Sequence, residues 1–249
     1  MAKFITKFNT TAEFATFSAT TDFGRPHVSL IKDDSKVHYF VNDPYNGHEY
    51  VEIGGLKWAT MNIGASKPSD YGLYFQWGDT QGYTDEQVGS GEGQKYFVWA
   101  DYKYGNGTSE PGATGMTKYN STDKLTKLEA VDDAAVANWG GSWRMPTTDE
   151  FQALFAAVNT AWTQVNNEVY GILCTDKADR SKTLFFPAAG HCNYGYVSSA
   201  RDVGQYWSSS LATDSSRNDA KNLTFNRRDV YWNVIDNRFF GCSVRPVVG

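Results

Sequence analysis

The most regular pattern of apolar residues in this chain lies shortly after its middle. Between positions 151 and 158, two Phe, one Leu and one Val fall at i, i+3, i+4 and i+7, the spacing of one helix face. Thr147 and Glu150 stand in front of this pattern at the spacing of a capping box. The pattern therefore predicts a helix that begins after Thr147. Residues 132–138 predict a second, shorter helix with acidic residues in its first turn.

Strand patterns flank these helices. Residues 50–53 and 56–59 are predicted to pair across Gly54 and Gly55, because a glycine pair tolerates the positive φ of a two-residue hairpin turn. Residues 74–77 predict another short strand. Later runs of β-branched and aromatic residues predict strands at 168–174, 182–186, 205–210, 220–226, 229–234 and 241–247. Two early helices followed by an antiparallel sheet indicate the α+β fold class.

The beginning of the chain predicts a small αβ unit of its own. Residues 4–8 predict a short strand, and Thr10 with Glu13 predicts a capped helix. Residues 27–31 and 36–41 predict a hairpin. A unit of about 40 residues is marginal for independent folding. We therefore expect it to dock on the main domain or on sister chains, which would make the protein a homo-oligomer.

Two further segments define the predicted organisation. Asp-Pro-Tyr-Asn-Gly-His at 43–48 has the composition of a turn, so the predicted domains are a docking or oligomerisation unit at 1–43 and a ligand-binding domain at 48–249. Residues 79–122 form a long insertion rich in Gly, Thr, Tyr and Asp. Its aromatic residues predict that it packs on itself: Tyr83, Tyr96, Phe97, Trp99, Tyr102 and Tyr104.

Composition narrows the classes of partner. The 249 residues are 41% hydrophobic and 15% aromatic, which is enough for a sizeable core and for aromatic surface contacts. The net charge is −5 and there is no basic run, so a nucleic-acid partner is not expected. No apolar segment approaches the ~20 residues that span a membrane, and residues 1–8 lack the apolar stretch of a secretory signal. Neither membrane insertion nor signal-dependent export is expected.

The last quarter of the chain combines two kinds of sequence. Three blocks, at 185–190, 205–210 and 241–247, are rich in aromatic and β-branched residues and have Pro or Gly near their ends, as strand segments do. The residues between them, from about 190 to 240, are polar, charged or aromatic and follow no regular alternation. Such residue types are typical of interfaces. This combination predicts a ligand-binding surface rather than a catalytic pocket.

Six blocks in the same order carry a resemblance to one family. They are residues 49–59, 61–65, 72–79, 139–147, 206–210 (Tyr-Trp-Ser-Ser-Ser) and 243–247 (Ser-Val-Arg-Pro-Val). Together they resemble C-type-lectin-like domains of the formylglycine-generating-enzyme branch. Such domains occur in major paralogous surface proteins of gut bacteria and in the variable proteins of diversity-generating retroelements. The resemblance covers residues 48–247 and implies that variable residues lie on an exposed sheet face and on loops at the C-terminal end.

Retroelement mutagenesis acts on adenines and typically converts Asn codons, AAC, into NNC codons. Diversified positions should therefore hold residues that NNC can encode. The resemblance and this codon rule together imply a set of ligand-binding residues in the variable region at about 190–240. They are His191, Tyr194, Tyr196, Arg201, Asp202, Leu211, Thr213, Asp214, Asn218, Asp219, Arg227, Arg228, Asp229, Tyr231, Asn233, Ile235, Asp236, Phe239 and Phe240.

Other chemistry was weighed against this interpretation. Cys192 and Cys242 could form a redox pair, because the formylglycine-generating branch includes oxidases with paired cysteines, but neither has a cationic context that would lower a thiol pKa. Asp79, Asp132 and Asp133 could ligate Ca²⁺, although the last two suit the first turn of a helix better. The four His residues are scattered. We therefore expect no catalytic residue, no metal ligand, no cofactor and no enzymatic activity.

The resembling blocks also predict core residues. Four tryptophans lie in these blocks and are expected to be buried: Trp58, Trp77, Trp143 and Trp207. Trp232 follows Tyr231 on a predicted strand, so one of the two must face outward. Arg245 is expected to be a buried structural partner of a carboxylate.

The resemblance leads to one functional expectation and two alternatives. Residues 28–33 and 37–39 resemble N-terminal segments of phage structural proteins from gut bacteria. We expect a receptor-binding protein or adhesin, diversified by a retroelement and displayed on a phage tail or a cell surface. Its ligand would be a protein or surface polymer of a host or target cell, bound without Ca²⁺. The alternatives are an undiversified bacterial surface domain and an oxidase of the formylglycine-generating type.

Overall fold

The computed structural model of the protein describes residues 27–33, 36–42, 45–108, 115–213 and 217–249. The chain divides into two compact units, Met1–Glu49 and Tyr50–Gly249. In the first unit, strand β1 (His27–Asp33) pairs antiparallel with β2 (Lys36–Asn42), which confirms the predicted hairpin. The strand predicted at 4–8 and the helix predicted after Thr10 lie outside the described residues.

Among its described residues, the second unit contains short strands, two α-helices and three single-turn 3₁₀ helices. Its strands are β3 (Tyr50–Ile53), β4 (Leu56–Ala59), β5 (Val158–Val165), β6 (Val169–Asp176), β7 (Thr183–Pro187), β8 (His191–Asn193), β9 (Tyr196–Ser198), β10 (Val203–Leu211), β11 (Asp219–Asn226), β12 (Val230–Asn237) and β13 (Val247–Val248). The helices are α1 (Ala134–Trp139) and α2 (Thr148–Ala157), with 3₁₀ turns at Asp85–Gln87, Trp99–Asp101 and Ala130–Asp132. The described residues hold many strands and few helices, so the α+β expectation holds at the level of a mixed, β-rich fold.

The strands of the second unit form four small sheets, ordered β3–β4–β13 with β4 central, β5–β6–β7, β8–β9 and β10–β11–β12. The predicted hairpin of β3 and β4 is confirmed, with Gly54 and Gly55 at φ of 62° and 82°. β4 also pairs with β13, so the beginning and the end of this unit meet in one sheet.

Five of the six strands predicted after residue 168 are present as β6, β7, β10, β11 and β12. The prediction at 241–247 was too long: Gly241, Cys242 and Ser243 make single bridges, and the ladder is limited to the two residues of β13, of which only Val247 falls in the predicted range. The predicted strand at 74–77 is likewise reduced to single bridges. β5, β8 and β9 were not predicted, because β5 follows α2 without a break and β8 and β9 lie in the polar variable region.

Both predicted helices are present, but α1 begins two residues later than predicted: Asp132 lies in the preceding 3₁₀ turn and Asp133 is the N-cap, so no acidic residue occupies the first turn of α1. The Thr147 hydroxyl accepts the N–H of Glu150 at 3.2 Å, and the Glu150 carboxylate accepts the N–H of Thr147 at 2.8 Å, which confirms the capping box. Asp133 caps α1 by accepting the N–H groups of Ala135 and Val136. Val158, the last member of the helical pattern, is buried but begins β5.

The four tryptophans predicted for the core are all completely buried: Trp58, Trp77, Trp143 and Trp207. Trp77 and Trp207 belong to one hydrophobic cluster and Trp58 to a second, which also contains Phe151 of α2. The long insertion contributes Phe97, Trp99, Tyr102 and Tyr104 to the core, whereas Tyr96 is 40% exposed. The insertion therefore packs largely as predicted.

Arg245 is buried, but the prediction that it pairs with a carboxylate was wrong. Its guanidinium donates to the side-chain oxygen of Asn62 and to the carbonyl oxygens of Ala59, Thr60 and Phe185, at 2.9 to 3.0 Å. It also lies 4.7 Å from the ring centre of Phe186. Backbone carbonyls thus satisfy this cation, which ties the end of the unit to its beginning.

Candidate binding surface

The sheet β10–β11–β12 carries six of the nineteen sequence-predicted ligand-binding residues, and most of the others lie in the turns and the hairpin next to it. Thr224 of β11 lies opposite Gln205 of β10 and opposite Tyr231 of β12, so these three side chains leave the sheet on the same side. We call this side the Gln205 face and define it by Gln205, Asn222, Thr224, Tyr231 and Asp236. The other side packs on one hydrophobic cluster through Tyr206, Leu223 and Phe225. On the Gln205 side, Asn222, Trp207 and Ala220 are completely buried, so only part of this face is open to solvent.

A register shift determines which residues of β12 reach the Gln205 face. Asn222 pairs with Val234, but Thr224 pairs with Tyr231, so two steps along β11 correspond to three along β12. Ile235 lies opposite Lys221, three residues from Thr224, and therefore points to the side opposite Tyr231. Tyr231 is 51% exposed, whereas Trp232 packs on the core. This confirms the prediction that one of these two neighbours faces outward.

The Gln205 face contains a polar network around Asp236, which lies opposite Ala220 and thus on the same side as Asn222 and Thr224. Its Oδ2 accepts the side-chain N–H groups of Gln205 at 2.8 Å and Asn222 at 2.7 Å. The Thr224 hydroxyl in turn donates to Asn222 Oδ1 at 2.6 Å. Desolvation raises the pKa of the Asp236 carboxyl, although the two amide hydrogen bonds act in the opposite direction.

The hairpin β8–β9 extends this surface beyond β10. A parallel bridge joins Gly190 to Gly204, so His191 follows on the same side as Gln205. Cys192 and Val197 are paired and pack toward the core. Because side chains alternate along a strand, their neighbours His191 and Tyr196 point outward, and Tyr196 is 72% exposed. The sheet face and the hairpin therefore form one continuous surface.

Aromatic contacts fill the junction between the hairpin and the sheet. The His191 ring stacks on Phe240 with centres 5.2 Å apart and an angle of 10°. Burial lowers the pKa of His191, which favours the neutral ring. Trp207 donates its indole N–H to the carbonyl oxygen of Phe240 at 3.3 Å, which fixes this segment beside β10. Tyr194, at the tip of the hairpin, is 53% exposed and meets Phe239 edge to face.

Charged residues gather at one end of the Gln205 face. β10 begins with Val203 opposite Asn226, the last residue of β11, so the turns before β10 and after β11 lie at the same end. These turns hold five exposed members of the predicted set: Arg201, Asp202, Arg227, Arg228 and Asp229. In the turn before β10, the Arg201 guanidinium lies 5.6 Å from the ring centre of Tyr170. In the turn after β11, Asn226 Oδ1 accepts the backbone N–H groups of Arg228 and Asp229.

Other predicted residues lie elsewhere. Leu211 and Phe239 are each 2% exposed and belong to the hydrophobic core, so the expectation that they contact ligand was wrong. Phe239 is held between Trp99, Tyr194 and Phe240. Thr213, Asn218 and Asp219 lie at the end of the sheet opposite the charged turns. Thr213 is exposed, and the other two are half-buried. Asn233 is exposed, and Asp214 lies outside the described residues.

Gln205, Asn222 and Thr224 were not predicted to belong to this surface, because they lie within predicted strands and not between them. A signal existed: Asn222, Thr224 and Asn226 are polar at alternate positions of β11, which indicates a polar strand face. Arg238 was also missed. It is completely buried, and its guanidinium donates to the carbonyl oxygens of Lys118, Tyr119 and Arg217.

The residues considered for redox or metal chemistry are engaged in structural contacts. Cys192 pairs with Gly241, next to Cys242, and both thiols are completely buried. Desolvation raises both thiol pKa values, which favours the unreactive protonated form. The Asp132 carboxylate accepts hydrogen bonds from Lys103, Lys118, Tyr104 and Tyr119. In the described part of the chain, no group of three His, Cys, Asp or Glu side chains is arranged to hold a metal ion.

Comparison of the chain with protein-family models, with curated proteins and with solved structures finds no match in any of the three. No helix among the described residues is long and apolar enough to cross a bilayer.

Proposed function

We propose that the chain is a ligand-binding protein with a C-type-lectin-like domain that a retroelement diversifies. One observation carries this proposal: His191, Tyr196, Tyr231, Asp236 and Phe240, all from the set implied by the codon rule, meet on one side of the molecule around the Gln205 face. The four tryptophans of the resembling blocks are meanwhile buried. A protein of this kind requires a buried core that stays constant and an outer face whose residues can vary.

The chemistry of this surface suits a broad macromolecular ligand. Tyr194, Tyr196 and Tyr231 are 53%, 72% and 51% exposed, and exposed tyrosines supply rigid contact area at low entropic cost. Arg227 and Arg228 stand beside Asp229 at one end, so charges of both signs are available for pairing. Tyr and Arg dominate the energetics of protein interfaces. We therefore favour a protein ligand on a host or target cell over a small sugar.

The proposed setting is a phage tail or a cell surface, with residues 1–43 docking the binding domain or assembling several copies. Repeated copies would raise the avidity of a weak individual contact. The hairpin of β1 and β2 is compatible with such a role, since its strands could extend a sheet in a neighbouring chain.

An oxidase of the formylglycine-generating type gains no support from the two cysteines. Both are buried and their thiol pKa values are raised, whereas a reactive cysteine needs a lowered pKa and access. An undiversified surface domain remains the alternative that the experiment below must separate from the proposal.

The decisive test of diversification is genomic. The gene should be accompanied by a reverse transcriptase gene and by a near-copy of its 3′ end that differs at adenines in the codons of the variable residues. Substitutions confined to those codons would support the proposal. Absence of both elements from the complete source genome would refute diversification and leave the undiversified surface domain.

A library experiment tests the same proposal at the protein level. NNC codons at His191, Tyr196, Arg227, Arg228 and Tyr231 should yield mostly folded variants, because these side chains are exposed or line the surface. A matched library at five buried positions, Trp58, Trp77, Phe151, Trp207 and Leu223, should yield mostly unfolded chains. Equal loss of folding in both libraries would show that the proposed surface cannot accept diversification.

A further inference from the structure

The polar network of the Gln205 face leaves two acceptor atoms unused. Gln205 is 7% exposed, and its Oε1 is buried with no hydrogen-bond partner among the described residues. Asp236 uses Oδ2 for its bonds to Gln205 and Asn222 and makes no ion pair within the described chain. Gln205 Nε2 donates to Asp236 Oδ2. The two unused oxygens, Oε1 of Gln205 and Oδ1 of Asp236, therefore belong to the two side chains that this hydrogen bond joins.

This arrangement is costly in the free protein. An unsatisfied buried acceptor destabilises a structure by roughly 1–3 kcal/mol, so native proteins keep few of them. Rotating the Gln205 amide would not help, because its oxygen would then face the Asp236 carboxylate. The network therefore keeps the Asp236 carboxylate beside a buried acceptor that has no partner in the described chain, beneath the side of the sheet that carries Tyr231.

A ligand group that satisfies both atoms must present more than one donor, and a cationic group would also pair with the charge of the Asp236 carboxylate. A guanidinium fits best, because its planar fork can donate to two oxygens at once while its face stacks on aromatic rings. Tyr231 shares the Gln205 face, and the His191–Phe240 stack lies on the neighbouring strand. An ammonium would satisfy the charge but lacks the planar fork.

We propose that Asp236 and Gln205 form an anchor site for an arginine side chain of the protein ligand, with Asn222 and Thr224 holding the two in position. This inference rests on the proposed ligand-binding function and specifies the chemistry that the surface recognises. Asp236 would make the ion pair, and small movements of the Gln205 amide would expose its oxygen to a second guanidinium N–H. Tyr231 would cover one side of the bound group.

The test uses the full chain and two small probes, N-acetyl-arginine methylamide and its neutral isostere N-acetyl-citrulline methylamide. We expect the arginine probe to shift the side-chain amide NMR signals of Gln205 and Asn222 saturably. The citrulline probe should bind about tenfold more weakly or worse, because it lacks the charge. Equal shifts with both probes would overturn the proposal, and so would shifts confined to other residues. This comparison needs no variant.

Two matched variants sharpen the result. Asp236→Asn should weaken the arginine probe about tenfold and leave the citrulline probe unchanged. Asp229→Asn, which removes an exposed carboxylate at the other end of β12, should change neither. Unaltered arginine binding in Asp236→Asn, or equal loss in Asp229→Asn, would contradict the anchor site. A negative result here alongside an adenine-substituted template copy in the genome would reject the arginine site and leave the proposed function standing.

Discussion

Trp207 donates its indole N–H to the carbonyl oxygen of Phe75, 2.8 Å away across 132 positions of the chain. The same N–H lies 3.3 Å from the carbonyl oxygen of Phe240, so one buried ring connects the early part of the unit, the central sheet and the segment under the proposed surface. The surface is therefore supported by a residue that does not itself reach it.

Replacing Trp207 by Ala should lower the free energy of unfolding by about 3–5 kcal/mol, because it removes a completely buried ring and leaves a cavity. Chemical denaturation measures this change. Trp162, which is only half-buried on β5, provides the matched control, and Trp162→Ala should cost clearly less. An equal loss of stability in the two variants would show that Trp207 contributes no more to the core than a half-buried tryptophan does.

Joint replacement of Arg227, Arg228, Asp229 and Tyr231 by Ala should leave the fold intact. These side chains are exposed, and such substitutions usually change stability by about 0.5 kcal/mol or less each. Asn226→Ala in the same turn should cost more, about 1 kcal/mol, because Asn226 Oδ1 accepts two backbone N–H groups. A melting temperature tens of degrees lower in the quadruple variant would place these residues in the core instead.

Asp132 should make stability depend on acidic pH. Desolvation opposes its ionisation, but hydrogen bonds from Lys118, Tyr104, Tyr119 and Lys103 outweigh it and lower its pKa below the ordinary 3.8. The lowered pKa means that Asp132 stabilises the fold when ionised. This contribution is complete above the ordinary value and is lost as the pH falls from there toward the lowered pKa.

Comparison of Asp132→Asn with the natural chain isolates this effect. Near neutral pH the variant should be less stable by about 2 kcal/mol. This value lies between those of surface and buried ion pairs, because Lys103 and Lys118, which pair with Asp132, are partly exposed. The difference should shrink as the pH falls below 3.8. A difference independent of pH would exclude the ionised carboxylate as its source. Asp229→Asn, at an exposed site, is the control and should change the stability near neutral pH by about 0.5 kcal/mol or less.

Arg245→Lys should be strongly destabilising although it preserves the charge. The guanidinium bonds four oxygens in three directions, and a lysine ammonium cannot reproduce that fork. At least two buried oxygens would lose their donor, which costs about 3 kcal/mol in total. Arg180→Lys on the exposed turn after β6 is the control and should stay within about 0.5 kcal/mol. Thermal or chemical denaturation of both variants checks the prediction.

Chelation of divalent cations should change neither the melting temperature nor ligand binding. The three candidate carboxylates already accept hydrogen bonds. Asp132 accepts four from side chains, Asp133 accepts the N–H groups of Ala135, Val136 and Met145, and Asp79 accepts the N–H of Gln81. Melting curves with EDTA and with added Ca²⁺ test this directly. Calcium-dependent binding that a monosaccharide inhibits would instead indicate an ordinary lectin.

Local sequence determined the parts of this protein that depend on near neighbours. The capping box of Thr147 and Glu150, the glycine turn between β3 and β4 and the buried tryptophans follow from short-range geometry and hydrophobicity, and all were predicted. The polar and aromatic composition of residues 190–240 likewise marked the region that contains the surface.

Only the tertiary structure decided which of those residues share a face. The register shift opposite Asn222 sends Ile235 and Tyr231 to opposite sides, although simple alternation along β12 would have put them together. Leu211 and Phe239 enter the core because distant aromatic residues cover them. The pairing of Gln205 with Asp236 joins residues 31 positions apart. Strand register and long-range packing depend on contacts between distant segments, and no local pattern in the sequence encodes them.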